Sequence, residues 1–239
     1  MSKPAGLKPL ECSGCPSRTD SPVCKAAEAD PPAFQQLLHR LFYLPHQVVF
    51  YEGNPSLGLY VLCAGKAKLT TSSPSGHQRI MSIVGPGTLV ERSGFCDGAL
   101  HAVTCETLEP SQVCLVDRRG YFSLLEKNPA LAIGLLQMVS GETLRARLPD
   151  DRFPFRKSAE RLAMLLLDLG KRFGKPGPAG ITLGIRLTRE ELAELTGSAP
   201  ETVIRLLSRF KRQRLVETHG SEITLLKPER LEQIARSSA

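Results

Sequence analysis

Leu187-Thr188-Arg189-Glu190-Glu191-Leu192-Ala193-Glu194-Leu195-Thr196-Gly197-Ser198-Ala199-Pro200-Glu201-Thr202-Val203-Ile204-Arg205-Leu206-Leu207 reads as two short helices around one tight turn. Each helix carries a start signal. Thr188 precedes Glu191 by three residues and Ser198 precedes Glu201 by three, the spacing of a capping box that satisfies orphan backbone donors. Pro200 falls in the first turn of the second helix, where its missing N–H is not needed. Gly197 sits between the helices, where a left-handed backbone is expected. Two capped helices around a Gly-containing turn describe a helix-turn-helix, whose second helix enters the major groove of DNA. Glu201 and Arg205 lie one turn apart on one face of it. Arg205, Arg209, Lys211, Arg212 and Arg214 cluster on and just after it, where phosphate contacts belong. Away from DNA, Glu201 and Arg205 would be an i,i+4 ion pair worth only about 0.3 kcal/mol. The capping boxes and the basic flank favour reading.

Outward from this stretch, Leu215–Leu225 places strand runs around Gly220, like the wing of a winged helix, and Ser158–Leu169 has helical spacing. Residues 119–148 also read as helical. Pro149 and Pro154 follow, and since proline in a helix interior costs about 3 kcal/mol, that helix should stop or kink near Leu148. From Gln47 to Arg118 the pattern is short β-type runs between Gly and Pro turns, as in a small barrel or jelly roll. Residues 33–43 suggest a short helix, and residues 1–30, rich in Pro, Ser, Ala and Cys, form an arm without periodicity. The predicted architecture is α+β: an arm over 1–30, a β-roll over 31–128, a connecting helix and hinge over 129–155, and a winged helix-turn-helix over 156–239.

A formal charge of +7 favours an anionic partner. No apolar run approaches the roughly 20 residues of a membrane span, and the N-terminus lacks a secretory signal, so a cytoplasmic protein with no membrane partner is expected. In that reducing compartment seven cysteines do not make a disulfide framework. Cys12-x2-Cys15-x8-Cys24 instead brings three thiolates together on the arm, suited to soft iron or zinc. Three ligands leave an iron–sulfur cluster one short. A structural zinc site, or reversible thiol oxidation without metal, would use the same residues. Cys63, Cys96 and Cys105 read as small buried hydrophobes. Five scattered histidines give a haem no evident axial ligand. No nucleophile–base constellation, phosphate-cradling loop or metal-plus-base motif marks an enzyme.

Taken in order, these segments resemble the CRP/FNR superfamily of bacterial transcription regulators over nearly the whole chain. The likeness is carried by Phe50-Tyr51-Glu52-Gly53-Asn54-Pro55 with Tyr60-Val61-Leu62 and Gly65, by Gly85-Pro86-Gly87, and by Glu201–Leu207. Ser140-Gly141-Glu142 and Ala159-Glu160-Arg161-Leu162-Ala163 are similar to the FNR branch. The resemblance implies a cyclic-nucleotide-binding-like β-roll, a dimerisation helix and a winged helix-turn-helix. The CRP branch holds its nucleotide phosphate with Gly-Glu-Leu and then Arg-Ser/Thr-Ala. Gly87-Thr88-Leu89-Val90-Glu91-Arg92 and His101-Ala102-Val103-Thr104 keep neither half here, Arg92 being the one substitute cation on offer.

The FNR-type layout implies an oxygen-labile 4Fe–4S cluster on Cys12, Cys15, Cys24 and Cys114, the last from Ser111-Gln112-Val113-Cys114-Leu115-Val116. Cys96, in Gly94-Phe95-Cys96-Asp97-Gly98, is the rival fourth ligand. The resemblance also implies a homodimer on palindromic double-stranded DNA, with RNA polymerase as a partner. Glu201 and Arg205 would read TTGA-like half-sites, with Arg189, Ser198, Pro200, Thr202 and Arg209 as further candidate contacts. Ile204 stands where FNR has Ser, and Pro200 replaces an aliphatic residue. Leu135, Val139, Leu144 and Leu148 are the candidate dimer contacts, with packing of Leu135 onto its own β-roll as the alternative. The implied signal is oxygen or redox state; a regulator of the same fold gated by a small ligand, haem or thiol oxidation is the other possibility.

Overall fold

The computed structural model describes residues 12, 15, 21, 23–25, 30–73, 78–91, 93–147 and 156–236, with the backbone alone over 142–147. The chain divides into two compact units at the end of a long helix closing at Arg147.

The N-terminal unit begins with α1 (Pro31–Gln36), whose Asp30 cap accepts a hydrogen bond from the Ala33 N–H at 3.1 Å. The sequence pattern predicts helix on to Tyr43, and the structure corrects this. Leu38–Tyr43 is a strand, β1, paired antiparallel with β7 (Ser111–Asp117) from Leu38↔Val116 to Tyr43↔Ser111. Sheet pairing overrides the local helical spacing, and two-residue alternation sends Leu41 and Tyr43 to one face, Leu38 to the other.

The strands between are β2 (Val48–Phe50), β3 (Gly58–Ala64), β4 (Ala67–Ser72), β5 (Gln78–Val84) and β6 (Thr104–Thr107). They form two sheets, β1-β7-β3 and β2-β6-β4-β5, as the short β-type runs suggest. One core joins them: Tyr43, Tyr60, Leu62 and Val113 from the first sheet, Phe50, Leu69 and Cys105 from the second.

The opposite face of β1-β7-β3 builds another core. Leu59, Val61, Cys63, Cys114 and Val116 meet Val23 and Cys24 of the arm, Phe34, and Tyr121, Leu124 and Leu125 of α2 (Arg118–Lys127). Leu131, Leu135 and Met138 of α3 (Pro129–Arg147) pack against it. The helical stretch expected over 119–148 is thus two helices. Asn128 leaves helical geometry at φ −136°, as the residue before Pro129 must.

The C-terminal unit comprises α4 (Ser158–Phe173), β8 (Gly174–Gly177), β9 (Gly180–Leu183), α5 (Arg189–Thr196), α6 (Pro200–Arg212), β10 (Val216–His219), β11 (Glu222–Leu225) and α7 (Pro228–Arg236). The wing is the β10–β11 hairpin, turned at Gly220 with φ 58°, and its sheet continues as β10-β11-β9-β8. The β8–β9 hairpin and α7 are additions to the sequence reading. Lys175-Pro176-Gly177 has no strand alternation to find, whereas Pro228 with Leu231 and Ala235 is a legible helix start and buried face. Leu148, Pro149 and Pro154 of the expected hinge lie outside the described residues. Among those described, no helix is long and apolar enough to cross a membrane.

Candidate functional site

The first expected capping box forms. The Thr188 Oγ1 accepts from the Glu191 N–H at 3.1 Å, and a Glu191 carboxylate oxygen accepts from the Thr188 N–H at 2.9 Å. Gly197 ends α5 in the left-handed region, φ 58° and ψ 45°. The second box does not form. Pro200 starts α6 with Ala199 as its cap, so Ser198 lies one residue too early to bond Glu201. Its hydroxyl accepts instead from Arg161 at 3.1 Å.

Arg161 organises the turn. Its guanidinium donates to the Thr196 carbonyl at 2.7 Å and the Gly197 carbonyl at 3.2 Å, besides Ser198, and on its other side to the Arg156 carbonyl at 2.6 Å. A planar fork suits several carbonyls at once. In the sequence, Arg161 stands out only as part of the Ala159–Ala163 motif.

On α6, Val203, Leu206, Leu207 and Phe210 are buried, while Glu201, Ile204, Arg205 and Arg209 are exposed and Thr202 half-buried. Lys211, Arg212 and Arg214 extend the exposed basic run. An apolar inner face thus presents an outer face of charge with one aliphatic residue, Ile204, 48% exposed. Guanidinium, carboxylate and methyl groups are the chemistry that base edges in a major groove can meet. Ser198 and Pro200 stand half-buried at the helix start. Arg189 donates to the Gly220 carbonyl at 3.0 Å, which ties α5 to the wing.

In the N-terminal unit, the structure brings Cys12, Cys15 and Cys24 of the arm onto the core that contains Cys114, and adds Cys63. The Cys63 S–H donates to the Cys114 sulfur at 2.9 Å. That bond, aided by Gln112 and Arg40, holds the Cys114 thiol below the usual range and pushes Cys63 up. Burial pushes Cys24 up to about 12, against the opposing Ser21 hydrogen bond, with the Cys114, Cys15 and Cys12 sulfurs adding to the rise. Burial also raises Cys12, with the Cys114 charge adding and the Arg40 guanidinium beside it opposing. Arg40 stands opposite Cys114 in the β1–β7 register. Its place beside Cys114 is not legible in the sequence, because its segment has helical spacing. Cys96 is exposed and Cys105 is buried in the other core. Among the described residues, no three His, Cys, Asp or Glu side chains are grouped to hold a single metal ion.

Of the dimer candidates, Leu135 is half-buried against its own β-roll and Val139 is half-buried. The Leu144 side chain and Leu148 lie outside the described residues. Among the described side chains of α3, the large apolar ones that stand exposed are Ile133 and Leu136, 57% and 65% exposed and one turn apart. Sequence spacing shows a helix's apolar positions, but not which of them its own fold covers.

Within the roll, His101 is buried, its Nδ1 3.0 Å from a Glu91 oxygen. Phe50 stacks on the imidazole at 3.8 Å between centroids, and Tyr60 meets it edge-on at 5.5 Å. Arg92 lies outside the described residues.

The cyclic nucleotide-binding domain family matches residues 40–128, and the Crp-like helix-turn-helix domain family matches residues 160–234. The global nitrogen regulator of Synechococcus elongatus is 31% identical over 78% of this chain and 85% of its own length. The transcriptional activator protein Anr of Pseudomonas protegens is 28% identical over 100% of this chain and 99% of its own, so that alignment includes the arm. The structure of FixK2 from Bradyrhizobium japonicum superposes with a TM-score of 0.72 at 23% identity, covering 84% of this chain and 99% of that one. With the architecture of both units, these matches establish that the chain belongs to the CRP/FNR superfamily of DNA-binding transcription regulators.

Proposed function

We propose that this regulator senses oxygen or redox state through a 4Fe–4S cluster on Cys12, Cys15, Cys24 and Cys114, which sets its dimerisation and its hold on TTGA-like palindromes. One observation carries the proposal: three arm thiols, Cys114 and the foot of α3 share a single core. The rival ligand Cys96 is exposed and outside it. The donor set fits such a cofactor. Thiolates are the usual ligands of iron–sulfur clusters, Cys114 is held toward its ionised form, and Arg40 offers positive charge beside the site.

A bound cluster supplies an oxygen-labile link among four thiolates. The remaining work falls to the chain. Cys12 and Cys24 give up protons on ligation, because burial otherwise keeps them neutral. Ligation through Cys12, Cys15, Cys24 and Cys114 would draw on, and repack, a core that includes Leu131, Leu135 and Met138 of α3. That repacking biases α3, whose Ile133 and Leu136 form the proposed homodimer face. Two recognition helices then engage two half-sites at once. RNA polymerase is the proposed partner at the promoter, and the cytoplasm the proposed location. Gly87–Arg92 and His101–Thr104 keep neither half of the CRP-branch phosphate motif, which supports an effector other than a cyclic nucleotide.

Promoter output from a chromosomal reporter, with and without aeration, tests this. Cys24→Ser and Cys114→Ser should lose the aeration response, and Cys96→Ser should keep it. A full response in both of the first two variants would overturn the ligand assignment.

A further inference from the structure

β3 and β7 run side by side with Val61 opposite Cys114, and their register slips by one residue between Leu62 and Ala64. Cys63 sits at that slip. Two-residue alternation puts it on the same face as Val61, and at the slip its sulfur comes to 2.9 Å from that of Cys114, both residues 4% exposed. A disulfide spans about 2.05 Å, so closing this pair asks for roughly 1 Å of sulfur movement at an irregular point of the ladder, where the backbone is least constrained. Neither the DNA face nor the four-ligand set uses Cys63.

We propose that Cys63 and Cys114 are a dithiol that hydrogen peroxide closes to a disulfide, a reversible modification site joining β3 to β7. In the first step the Cys114 sulfur attacks one peroxide oxygen. The O–O bond breaks, the thiol proton leaves with the departing oxygen as water, and Cys114 becomes a sulfenic acid. The Cys63 sulfur then attacks the Cys114 sulfur. The S–S bond forms as the S–O bond breaks, and the Cys63 proton leaves with the hydroxyl as a second water. Two electrons pass from the sulfur pair to one peroxide, and a dithiol reductant returns them. A further consequence rests on the cluster ligation proposed above: closing the bridge withdraws Cys114, and the arm's three thiols are left one ligand short until a reductant acts.

The test uses the full-length, metal-free, reduced protein treated with hydrogen peroxide, alkylated and digested for mass mapping. The expected result is a Cys63–Cys114 linked peptide, two hydrogens lighter than the sum, that dithiothreitol separates. Cys114 linked instead to Cys12, Cys15 or Cys24, or Cys63 and Cys114 both recovered as thiols while exposed Cys96 is oxidised, would overturn the assignment. In Cys63→Ala, Cys114 should be trapped by dimedone as sulfenic acid; an unlabelled Cys114 there would count against it. Reduced and bridged samples are then given ferrous iron and sulfide without air. The bridged sample should lose its iron uptake and regain it with dithiothreitol, whereas equal uptake by both breaks the coupling. Failure of both to take up iron strikes the cluster ligation, while the mass map still decides the bridge.

Discussion

Arg205 and Glu201 stand exposed on a helix whose opposite side is locked into its unit by Val203, Leu206, Leu207 and Phe210. Their role is therefore separable from stability. Arg205→Ala should lower affinity for a TTGA-type palindrome by roughly 30-fold or more, the loss of about 1–3 kcal/mol of base discrimination in each of two half-sites. Weak, salt-sensitive binding to any duplex should remain. Anisotropy titrations on specific and scrambled DNA check both, and unchanged specific affinity would contradict the role. A second residue-scale expectation concerns Cys24, whose thiol rises from 9.0 to about 12 in the folded chain. The folded state then holds its proton more tightly than the unfolded state does. The stabilisation is fully present below pH 9.0 and is lost as pH rises from there toward about 12. Urea midpoints of the metal-free protein should fall over that window, and Cys24→Ser should flatten the slope. At this scale the sequence was legible for exposed chemistry such as Arg205 and Glu201. It was silent on Cys63, because a cysteine in an apolar strand looks like any small hydrophobe until a neighbouring strand sets Cys114 beside it.

Between residues and the whole, single elements decide geometry. The turn before α6 rests on Arg161, which bonds the carbonyls of Thr196 and Gly197 and the Ser198 hydroxyl. Arg161→Ala should cost about 2–4 kcal/mol, several charge-assisted bonds to groups left poorly partnered. Amide hydrogen exchange at Ser198 and along α6 should quicken, and Arg161→Lys should recover only part of the protection. On α3, Leu135 and Leu136 are adjacent in sequence but opposite in role. Leu135→Ala should lower the stability of the N-terminal unit, since it uncovers the core behind the thiols. Leu136→Glu should leave that stability intact and lower the dimer fraction in sedimentation experiments. Equal effects on both readouts would contradict the division of faces. Element types were legible where local signals and tertiary contacts agree, as in the Thr188–Glu191 box and the wing around Gly220. They failed where the two conflict. Leu38–Tyr43 has helical spacing yet becomes the edge strand paired with β7, and Ser198 loses its capping role because Pro200 moves the helix start by one residue.

For the molecule as a whole, the order of β-roll, helix and winged helix is written in the periodicity, and the two matched families fall on the roll and the winged helix in that order. Less legible was the logic joining the arm to α3. It depends on one sheet having two buried faces, one closing the roll and the other carrying Cys63 and Cys114 beneath the arm and the helices. Under the proposed ligation, a change in the arm would reach α3 through this direct packing within the N-terminal unit. The most direct measurement is iron and acid-labile sulfide analysis, with absorption spectrum and sedimentation, on full-length protein purified without air and then exposed to it. The expected result is four irons and four sulfides per chain in a coloured dimer that bleaches and dissociates in air. A colourless, iron-free protein that is dimeric and binds its palindrome equally well before and after air would contradict it.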